Sequence, residues 1–305
     1  MRIAIVGIGG VGGYFGGKLA RAYAGSEKHE IIFIARGEHL SAIQQKGLQL
    51  LTQECDYVAW PNIATDQPHI AGPFDIVFFC VKSYALESSA QLFRNNITNR
   101  TVVIPLQNGV DSAERLRVVL PHADVISGSC YIISHIEKPG VVHQEDGACK
   151  LTFGTDDQES AKKYSYILGI LLQAKINATL TDKISEVLWT KFLLMCPLAS
   201  LTSATGKTYG EIWTDAELRI KASGLMKEVA AVARARNIPL SEDVVDKTME
   251  MVGRFGQNSK TSMQLDREKG NRTEIDTLTA FLCRAGKETG VPTPLHDALY
   301  KQLIS

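Results

Sequence analysis

A run of glycines follows a short apolar stretch near the amino terminus. The glycines are Gly7, Gly9, Gly10 and Gly12, and the apolar stretch is Ile3–Val6. In a GxGxxG pattern the first glycine permits a tight turn, the second admits a pyrophosphate, and the third lets the next helix pack closely. Phosphates bind at the start of such a helix, because its N–H groups and dipole favour anions. The motif predicts a dinucleotide site rather than a merely glycine-rich turn.

The residue after the second apolar stretch can distinguish the two nicotinamide dinucleotides. That stretch is Ile31–Ala35, and Arg36 and Gly37 follow it directly. NAD enzymes place Asp or Glu there to bind the ribose 2′-hydroxyl, whereas a guanidinium pairs with the 2′-phosphate of NADP and can stack on adenine. Glu38 is an opposing charge nearby. Arg36 favours NADPH, and the alternative is a surface charge at a strand end.

Two further polar loops follow apolar stretches. Lys82 comes after Ile76–Val81, and Asn108 comes after Thr101–Leu106. Ligands bind at the carboxyl ends of strands in open α/β sheets, which makes both residues candidates for the cofactor crevice. Asn-Gly also marks hairpins, but residues 111–120 have a helical pattern, so a crevice position is favoured for Asn108. For Lys82 alone, a position in the cofactor crevice and an ordinary loop position are equally favoured.

Lys191 is the only charged residue between Val187 and Ala204. On a helix it shares a face with Ile184, Leu188 and Met195. Such a lysine either extends its stem to reach water or serves a cleft. In a cleft, desolvation lowers the pKa of a lysine from about 10.4, which makes it a better proton donor near neutral pH. The residues alone leave both alternatives open.

A second polar cluster surrounds Ser262 and Glu274. Thr273 and Asp276 have capping-box spacing, so Glu274 could simply complement the dipole of a helix that begins there. The alternative is partial burial, because helical spacing gives Glu274 a set of apolar neighbours. These neighbours are Leu278, Phe281 and Ala285.

The elements that position these residues fall into two groups. The stretches already named alternate with segments long enough for crossover helices, which predicts an N-terminal Rossmann-type, doubly wound parallel sheet. Weaker strand signals predict a later, partly antiparallel extension of that sheet. They lie at Asp124–Gly128, Gly140–Gln144 and Lys150–Gly154.

The periodicity becomes helical near Thr181. We therefore expect an NADP-binding domain over residues 1–181 and an all-helical substrate domain over residues 182–305. Pro197 should kink or end the first of its helices, and Ser241 is a plausible N-cap for the third. The predicted helices are Ile184–Ser203, Asp215–Arg236, Ser241–Phe255 and Thr273–Thr289.

The bulk composition excludes several classes of protein. The 305 residues carry 33 basic and 33 acidic side chains, which gives no concentrated charge for binding nucleic acid. No run of about 18 consecutive apolar residues predicts a membrane span. None of the six cysteines forms a CxxC pair or has a histidine at zinc-finger spacing, so we expect free thiols, no metal site and a cytoplasmic location.

These motifs together resemble the ketopantoate reductases, also called 2-dehydropantoate 2-reductases, over essentially the whole chain. The set is more specific than any single motif in it. The matching stretches are Gly7 to Gly17, Ala35-Arg36-Gly37, Val81-Lys82-Ser83, Gln107-Asn108-Gly109, Trp189-x-Lys191, Ser262-Met263 with Asp266, and Arg272-x-Glu274-Ile275-Asp276.

The resemblance implies a Rossmann domain and a helical domain with the active site in the cleft between them. It implies that Lys191 is the general acid, and that Glu274 binds the substrate hydroxyl and helps to hold Lys191. Asn108 would lie near the nicotinamide and the substrate. Ser262 would contact the substrate carboxylate, and Lys82 would line the cofactor cleft.

Three positions depart from the family pattern. Met195 and Ala199 stand where better-known members have Asn, and Ser259 stands where Asn is frequent. Losing these amides makes the wall of the substrate site more apolar. A site that hydrogen-bonds a substrate hydroxyl discriminates strongly against substrates that lack it. The reaction type is therefore better supported than the identity of the substrate.

The sequence thus predicts NADPH-dependent reduction of 2-dehydropantoate to pantoate in pantothenate biosynthesis, by a monomer or a homodimer. One alternative is a bulkier or more apolar 2-keto acid. A second alternative, from a different class, is a non-catalytic protein that binds or senses NADPH.

Overall fold

A computed structural model describes residues 1–145 and 147–305, and the chain divides into two compact units. The first, here called the sheet-bearing unit, contains Met1–Gln107 and Asp111–Ile184. The second, the helical unit, contains Ser185–Ser305 together with the short segment Asn108–Val110. Three residues from the first half of the chain therefore belong to the helical unit.

The strands are numbered in chain order. They are β1 Arg2–Val6, β2 Glu30–Ile34, β3 Leu48–Leu51, β4 Tyr57–Ala59, β5 Ile63–Thr65, β6 Ile76–Phe79, β7 Val102–Pro105, β8 Asp124–Val125, β9 Ser127–Tyr131, β10 Ser134–Lys138, β11 Val141–Gln144, β12 Lys150–Gly154 and β13 Asn177–Thr181.

The α-helices are numbered in the same way. They are α1 Gly10–Ala22, α2 Gly37–Lys46, α3 Pro68–Ala71, α4 Leu86–Leu92, α5 Ser112–Val119, α6 Gln158–Lys162, α7 Ser165–Gln173, α8 Ile184–Thr205, α9 Tyr209–Thr214, α10 Ala216–Ala235, α11 Val244–Val252, α12 Ser262–Glu268, α13 Thr279–Thr289 and α14 Pro294–Ile304.

The main sheet is parallel throughout, with strand order β5-β2-β1-β6-β7-β8. Successive residues of β1 enter different apolar clusters, since Ile3 and Ile5 join one cluster while Ala4 and Val6 join another. Because side chains alternate across a strand, both faces of the sheet are buried. This burial explains the continuous apolar stretches, and it confirms the predicted doubly wound parallel sheet.

The predicted extension of this sheet is wrong apart from β8. The later strands form two separate sheets, ordered β10-β11-β3-β4 and β13-β12-β9, and each contains both parallel and antiparallel pairs. β8 has only two residues before the chain continues into β9. β10 is largely exposed and contains one apolar residue, so its sequence lacks the apolar alternation that would have predicted it.

In the helical unit, two predicted features can be compared with the structure. Pro197 lies inside α8 and does not end it, so of the two predicted effects, a kink or an end, the end is wrong. Ser241 is not an N-cap, since Asp243 precedes α11. The Val244 N–H instead donates to the Ser241 carbonyl in a separate turn, so the helix begins later than predicted.

Helix α8 is long and apolar enough to cross a membrane by length and composition alone. Its most apolar window has a mean hydropathy of 1.4, but 78% of that window is buried within the protein. The apolar residues of α8 therefore face the interior of the helical unit, as in the core helix of a globular protein.

A buried carboxylate fixes the start of α14. Glu228 accepts hydrogen bonds from the Leu295 N–H at 2.7 Å, the His296 N–H at 3.1 Å and His296 Nδ1 at 2.7 Å. The His296 side chain is fully buried, and burial lowers its pKa although Glu228 opposes that change. A neutral imidazole therefore donates its Nδ1–H to Glu228, and the carboxylate caps the first turn of α14.

We expect Glu228→Ala to destabilise the helical unit by about 2–4 kcal/mol, because it leaves buried donors without an acceptor. Urea unfolding followed by circular dichroism would measure this loss. Glu228→Gln retains one acceptor oxygen and should lose clearly less. Equal stability of all three proteins would contradict the capping role.

Candidate active site

The glycine loop has the local geometry of a pyrophosphate site. Gly7 has φ +97°, and a methyl group on it would lie 2.7 Å from Val81 Cγ1. A methyl group on Gly12 would collide with the Gly7 carbonyl oxygen, so this glycine lets α1 approach the loop closely. By contrast, a methyl group on Gly9 would have no neighbour within 4 Å. Among the glycines of this loop, Gly9 alone faces open space, as the second glycine of a dinucleotide motif should.

The start of α1 is suited to an anion. Gly9 is the N-cap and provides no side-chain hydrogen bond, and the first turn has no acidic residue. Its N–H groups and the helix dipole therefore face a region without a competing carboxylate from that turn. These residues fit a dinucleotide pyrophosphate.

Gly10 has a different local environment from Gly9. A methyl group on Gly10 would collide with the Ser134 carbonyl oxygen at the start of β10. The structure therefore explains this glycine by its packing against β10, independently of any ligand.

Arg36 is exposed between β2 and α2, at the N-cap position of the helix. Within residues 1–145 and 147–305, its guanidinium forms no ion pair with a carboxylate. Glu38, in the first turn of α2, is also exposed. A free guanidinium after the second strand fits the 2′-phosphate of NADP.

The Lys82 loop is held by two side chains that the sequence did not identify as important. Gln107 Nε2 donates to the Phe79 carbonyl at 2.9 Å and to the Val81 carbonyl at 3.0 Å. Arg115 Nη2 donates to the Ser83 carbonyl at 2.7 Å. Lys82 itself is exposed. The position of Gln107 next to Asn108 was the only sequence signal for this supporting role.

Arg115 is in turn held by a carboxylate. Its Nε and Nη2 donate to the two oxygens of Glu87 at 2.6 and 2.7 Å. The hydrogen bond to Arg115 is the main reason that the pKa of Glu87 is lowered. A bidentate pair of this kind fixes the direction of the guanidinium, and therefore also fixes the backbone next to Lys82.

Asn108 and Lys191 meet within the helical unit. Lys191 Nζ donates to Asn108 Oδ1 at 3.0 Å, although 83 residues separate them in sequence. Lys191 is 6% exposed, and Asn108 is half-buried. The ammonium group is bonded to an amide side chain rather than extended into solvent, which favours the cleft interpretation of Lys191.

Glu274 is buried, but the helix predicted to carry it begins later. Residues 274–278 form a turn, and α13 starts at Thr279 with Leu278 as its N-cap. The capping box predicted at Thr273 therefore has no helix to cap. The Glu274 carbonyl accepts from the N–H groups of Thr277 and Leu278, so this turn imitates helical spacing. Glu274 is 5% exposed, so the expected burial is observed. The helix face that was expected to bury it is absent, because Glu274 lies before α13.

Ser262 is the exposed first residue of α12, and the residue before it anchors that end of the helix. Thr261 accepts from the Gln264 N–H at 3.2 Å, and its hydroxyl lies 2.7 Å from that of Thr202 on α8. Both threonines are buried. The start of α12 is therefore tied to the helix that carries Lys191.

The three positions that depart from the family pattern lie on two segments. Met195 and Ala199 are on α8, half-buried and buried respectively. Ser259 is half-buried in the chain before α12, where its carbonyl accepts from the Tyr209 N–H at 3.0 Å.

Together, the parallel sheet, the glycine loop and the partly buried lysine–amide pair define a dinucleotide-dependent oxidoreductase. Comparison with known proteins identifies its family. Family models described as "Ketopantoate reductase PanE/ApbA" and "Ketopantoate reductase PanE/ApbA C terminal" match residues 3–158 and 183–305. The chain belongs to the ketopantoate reductase family, whose members are NADP-dependent oxidoreductases. The predicted family, cofactor and enzyme class are confirmed.

Individual relatives agree with this assignment. The 2-dehydropantoate 2-reductase of Mesorhizobium japonicum is 27% identical over 321 residues, covering 98% of this chain and 95% of the relative. The crystal structure of 2-dehydropantoate 2-reductase from Porphyromonas gingivalis W83 is 31% identical with a TM-score of 0.88, covering 100% of this chain and 99% of that one.

A more distant structure has the same fold. It is a ternary complex of D-mandelate dehydrogenase with NADH and anilino(oxo)acetate, 23% identical with a TM-score of 0.87, covering 100% of this chain and 97% of that one.

We expect Gly9→Val to abolish dinucleotide binding while the protein still folds, because the open space beside Gly9 accepts a side chain only at the expense of the pyrophosphate. NADPH fluorescence would measure binding. Gly169→Val is the matched control, because Gly169 on α7 also faces open space. Unchanged NADPH affinity in Gly9→Val would refute the loop assignment.

Arg36→Ala should weaken NADPH binding much more than NADH binding, because only NADPH has a 2′-phosphate. A charge-assisted pair of this kind contributes about 1.5–3 kcal/mol. Dissociation constants for both cofactors would be compared with those of Arg100→Ala, which removes another exposed arginine of the same unit. An equal loss for the two cofactors would exclude this role for Arg36.

Proposed function

We propose that this protein reduces 2-dehydropantoate to pantoate with NADPH, in pantothenate biosynthesis, with Lys191 as the general acid. The observation that carries the proposal is the partly buried hydrogen bond from Lys191 Nζ to Asn108 Oδ1. The curated relative and the solved structure described above, both named 2-dehydropantoate 2-reductase, support this choice of substrate.

Binding of the cofactor is assigned to residues of the sheet-bearing unit. Gly7, Gly9 and Gly12 shape the pyrophosphate loop, Arg36 pairs with the 2′-phosphate, and Lys82 lines the crevice. When bound, NADPH supplies the hydride for the carbonyl carbon. The protein supplies orientation, exclusion of water and the proton.

Lys191 is suited to be the source of that proton. Reduction of a ketone places negative charge on the carbonyl oxygen, and an ammonium donor stabilises that charge before transferring a proton to it. The Asn108 amide oxygen accepts from Lys191 Nζ and so directs the ammonium group. With its stem buried, the side chain has few other orientations to adopt.

Two further side chains are assigned to the substrate. Glu274 is a buried carboxylate in the helical unit and would accept a hydrogen bond from the substrate hydroxyl, besides helping to hold Lys191. Ser262 is an exposed hydroxyl at the anchored start of α12 and would donate to the substrate carboxylate.

A bulkier or more apolar 2-keto acid is the second candidate substrate. It is favoured by Met195 and Ala199 on α8, where better-known family members carry amides. A panel of 2-keto acids with side chains of increasing size and without a hydroxyl would distinguish the candidates. Preference for 2-dehydropantoate by kcat/KM supports the first, and preference for an apolar analogue supports the second. Family membership disfavours the non-catalytic alternative.

We place the enzyme in the cytoplasm, as a monomer or a homodimer. The six cysteines are all free thiols, which agrees with a reducing compartment.

Lys191→Met should fold and bind NADPH but lose roughly 10²–10⁴-fold in kcat, as expected for loss of a general acid. Methionine retains the volume of the stem and suits an apolar helix face. The wild-type rate should fall at high pH as the lysine loses its proton, and this part of the pH profile should be absent from the variant.

Lys207→Met is the control for this experiment, because it removes an exposed lysine from the same unit. Its kcat should equal that of the wild type. Near-normal kcat in Lys191→Met, with any 2-keto acid that the wild type reduces, would exclude Lys191 as the general acid.

A further inference from the structure

The hairpin formed by β10 and β11 packs against the start of α1. The Ser134 carbonyl occupies the position that a methyl group on Gly10 would need. Further along, a methyl group on Gly13 would lie 2.6 Å from Val142 Cγ2. The β10–β11 hairpin therefore contacts the helix that begins directly after the glycine loop. Because the contact is closely packed, a displacement of the hairpin would also displace the start of α1.

The turn of the same hairpin is tied to α2 by a histidine. Gly140 lies between β10 and β11, and its N–H donates to His39 Nδ1 at 3.1 Å. A methyl group on Gly140, which has φ +79°, would lie 2.8 Å from Ala42 Cβ. α2 begins immediately after Arg36, so His39 connects the hairpin to the helix beside the proposed 2′-phosphate site.

The second nitrogen of the His39 ring is buried. Because Nδ1 accepts a backbone N–H, the proton of the neutral ring is on Nε2. Nε2 has no hydrogen-bond partner among residues 1–145 and 147–305. Burial lowers the pKa of His39. The imidazole is therefore held by its hydrogen bond from Gly140, which joins α2 to the hairpin turn.

We propose that His39 is a positioning residue that holds the β10–β11 hairpin and α2 around the glycine loop in the geometry that binds the dinucleotide pyrophosphate. This proposal rests on the proposed cofactor site. It does not depend on the proposed substrate or on the role of Lys191. Loosening the loop reduces the fraction of molecules that are ready to bind, and the apparent affinity falls by the same factor. Because NADPH and NADH share the pyrophosphate, both should be affected equally.

Three substitutions at His39 separate its interactions. His39→Ala removes both ring nitrogens. His39→Asn places an amide oxygen near the position of Nδ1 and can still accept from Gly140. His39→Gln places its amide near the position of Nε2 and leaves the Gly140 N–H without an acceptor. Dissociation constants for NADPH and NADH would be measured by fluorescence titration, which requires no turnover.

We expect His39→Ala to raise the dissociation constants of NADPH and NADH about five- to tenfold, which is the range expected for the loss of one hydrogen bond. His39→Asn should recover most of this loss and His39→Gln much less. Unchanged dissociation constants in His39→Ala would overturn the proposal. A loss confined to NADPH would also overturn it, since that effect would act through Arg36. If the Asn and Gln variants lose the same affinity, the hydrogen bond from Gly140 is not the cause. That result would overturn the positioning role and leave only side-chain packing as the explanation.

Two controls make the result specific. His29→Ala removes a half-buried histidine of the same unit, whose ring packs on Tyr23 at 4.6 Å, and should leave both dissociation constants unchanged. Thermal unfolding would show whether each variant is folded, and His39→Asn remains informative if His39→Ala is not. If Gly9→Val abolishes binding while His39→Ala binds normally, only the role of His39 is rejected. If Gly9→Val also binds normally, the cofactor site itself is rejected.

Discussion

Burial of a single ammonium group is the constraint on which the helical unit depends. A charge removed from water destabilises a protein by several kcal/mol unless polar groups surround it. Lys191 is almost fully buried on a long apolar helix and donates to Asn108. Asn108–Val110 accordingly belongs to the helical unit although it follows a strand of the main sheet. The hydroxyl pairs Thr202–Thr261 and Ser200–Thr279, each 2.7 Å apart, hold the same helix further along. A long apolar helix can therefore present one charge at a defined position.

The sheet-bearing unit satisfies a different requirement, which is the close approach of a phosphate group to the backbone of the glycine loop. The glycine loop has no side chains that could bind a phosphate, so its value depends on backbone N–H groups held at fixed positions. Gly12 brings α1 against the loop, and Gly10 brings β10 against α1. Gln107 and Arg115 hold the adjacent Lys82 loop through backbone carbonyls. The side chains support the backbone, and the backbone provides the binding surface.

Much of this arrangement can be predicted from the sequence, and the failures have physical causes. Strands such as β1 are buried on both faces, so their apolar stretches are unmistakable. The exposed strand β10 contains one apolar residue, so its sequence has no apolar alternation. The spacing of Thr273 and Asp276 predicts a helix start, but the chain forms only a turn there and the helix begins at Thr279. Individual motifs located the candidate residues, but the pairing of Lys191 with Asn108 is a tertiary contact that no local pattern contains.

The discontinuity of the helical unit has a consequence for inheritance. A gene that recombines at one point between these units would take Lys191 from one parent and Asn108 from the other. The two side chains must remain complementary in length and in donor–acceptor character, so such a chimera keeps this hydrogen bond only if both parents use the same pair. The helical unit is therefore not encoded by one continuous segment, because three residues from the first half of the chain complete it.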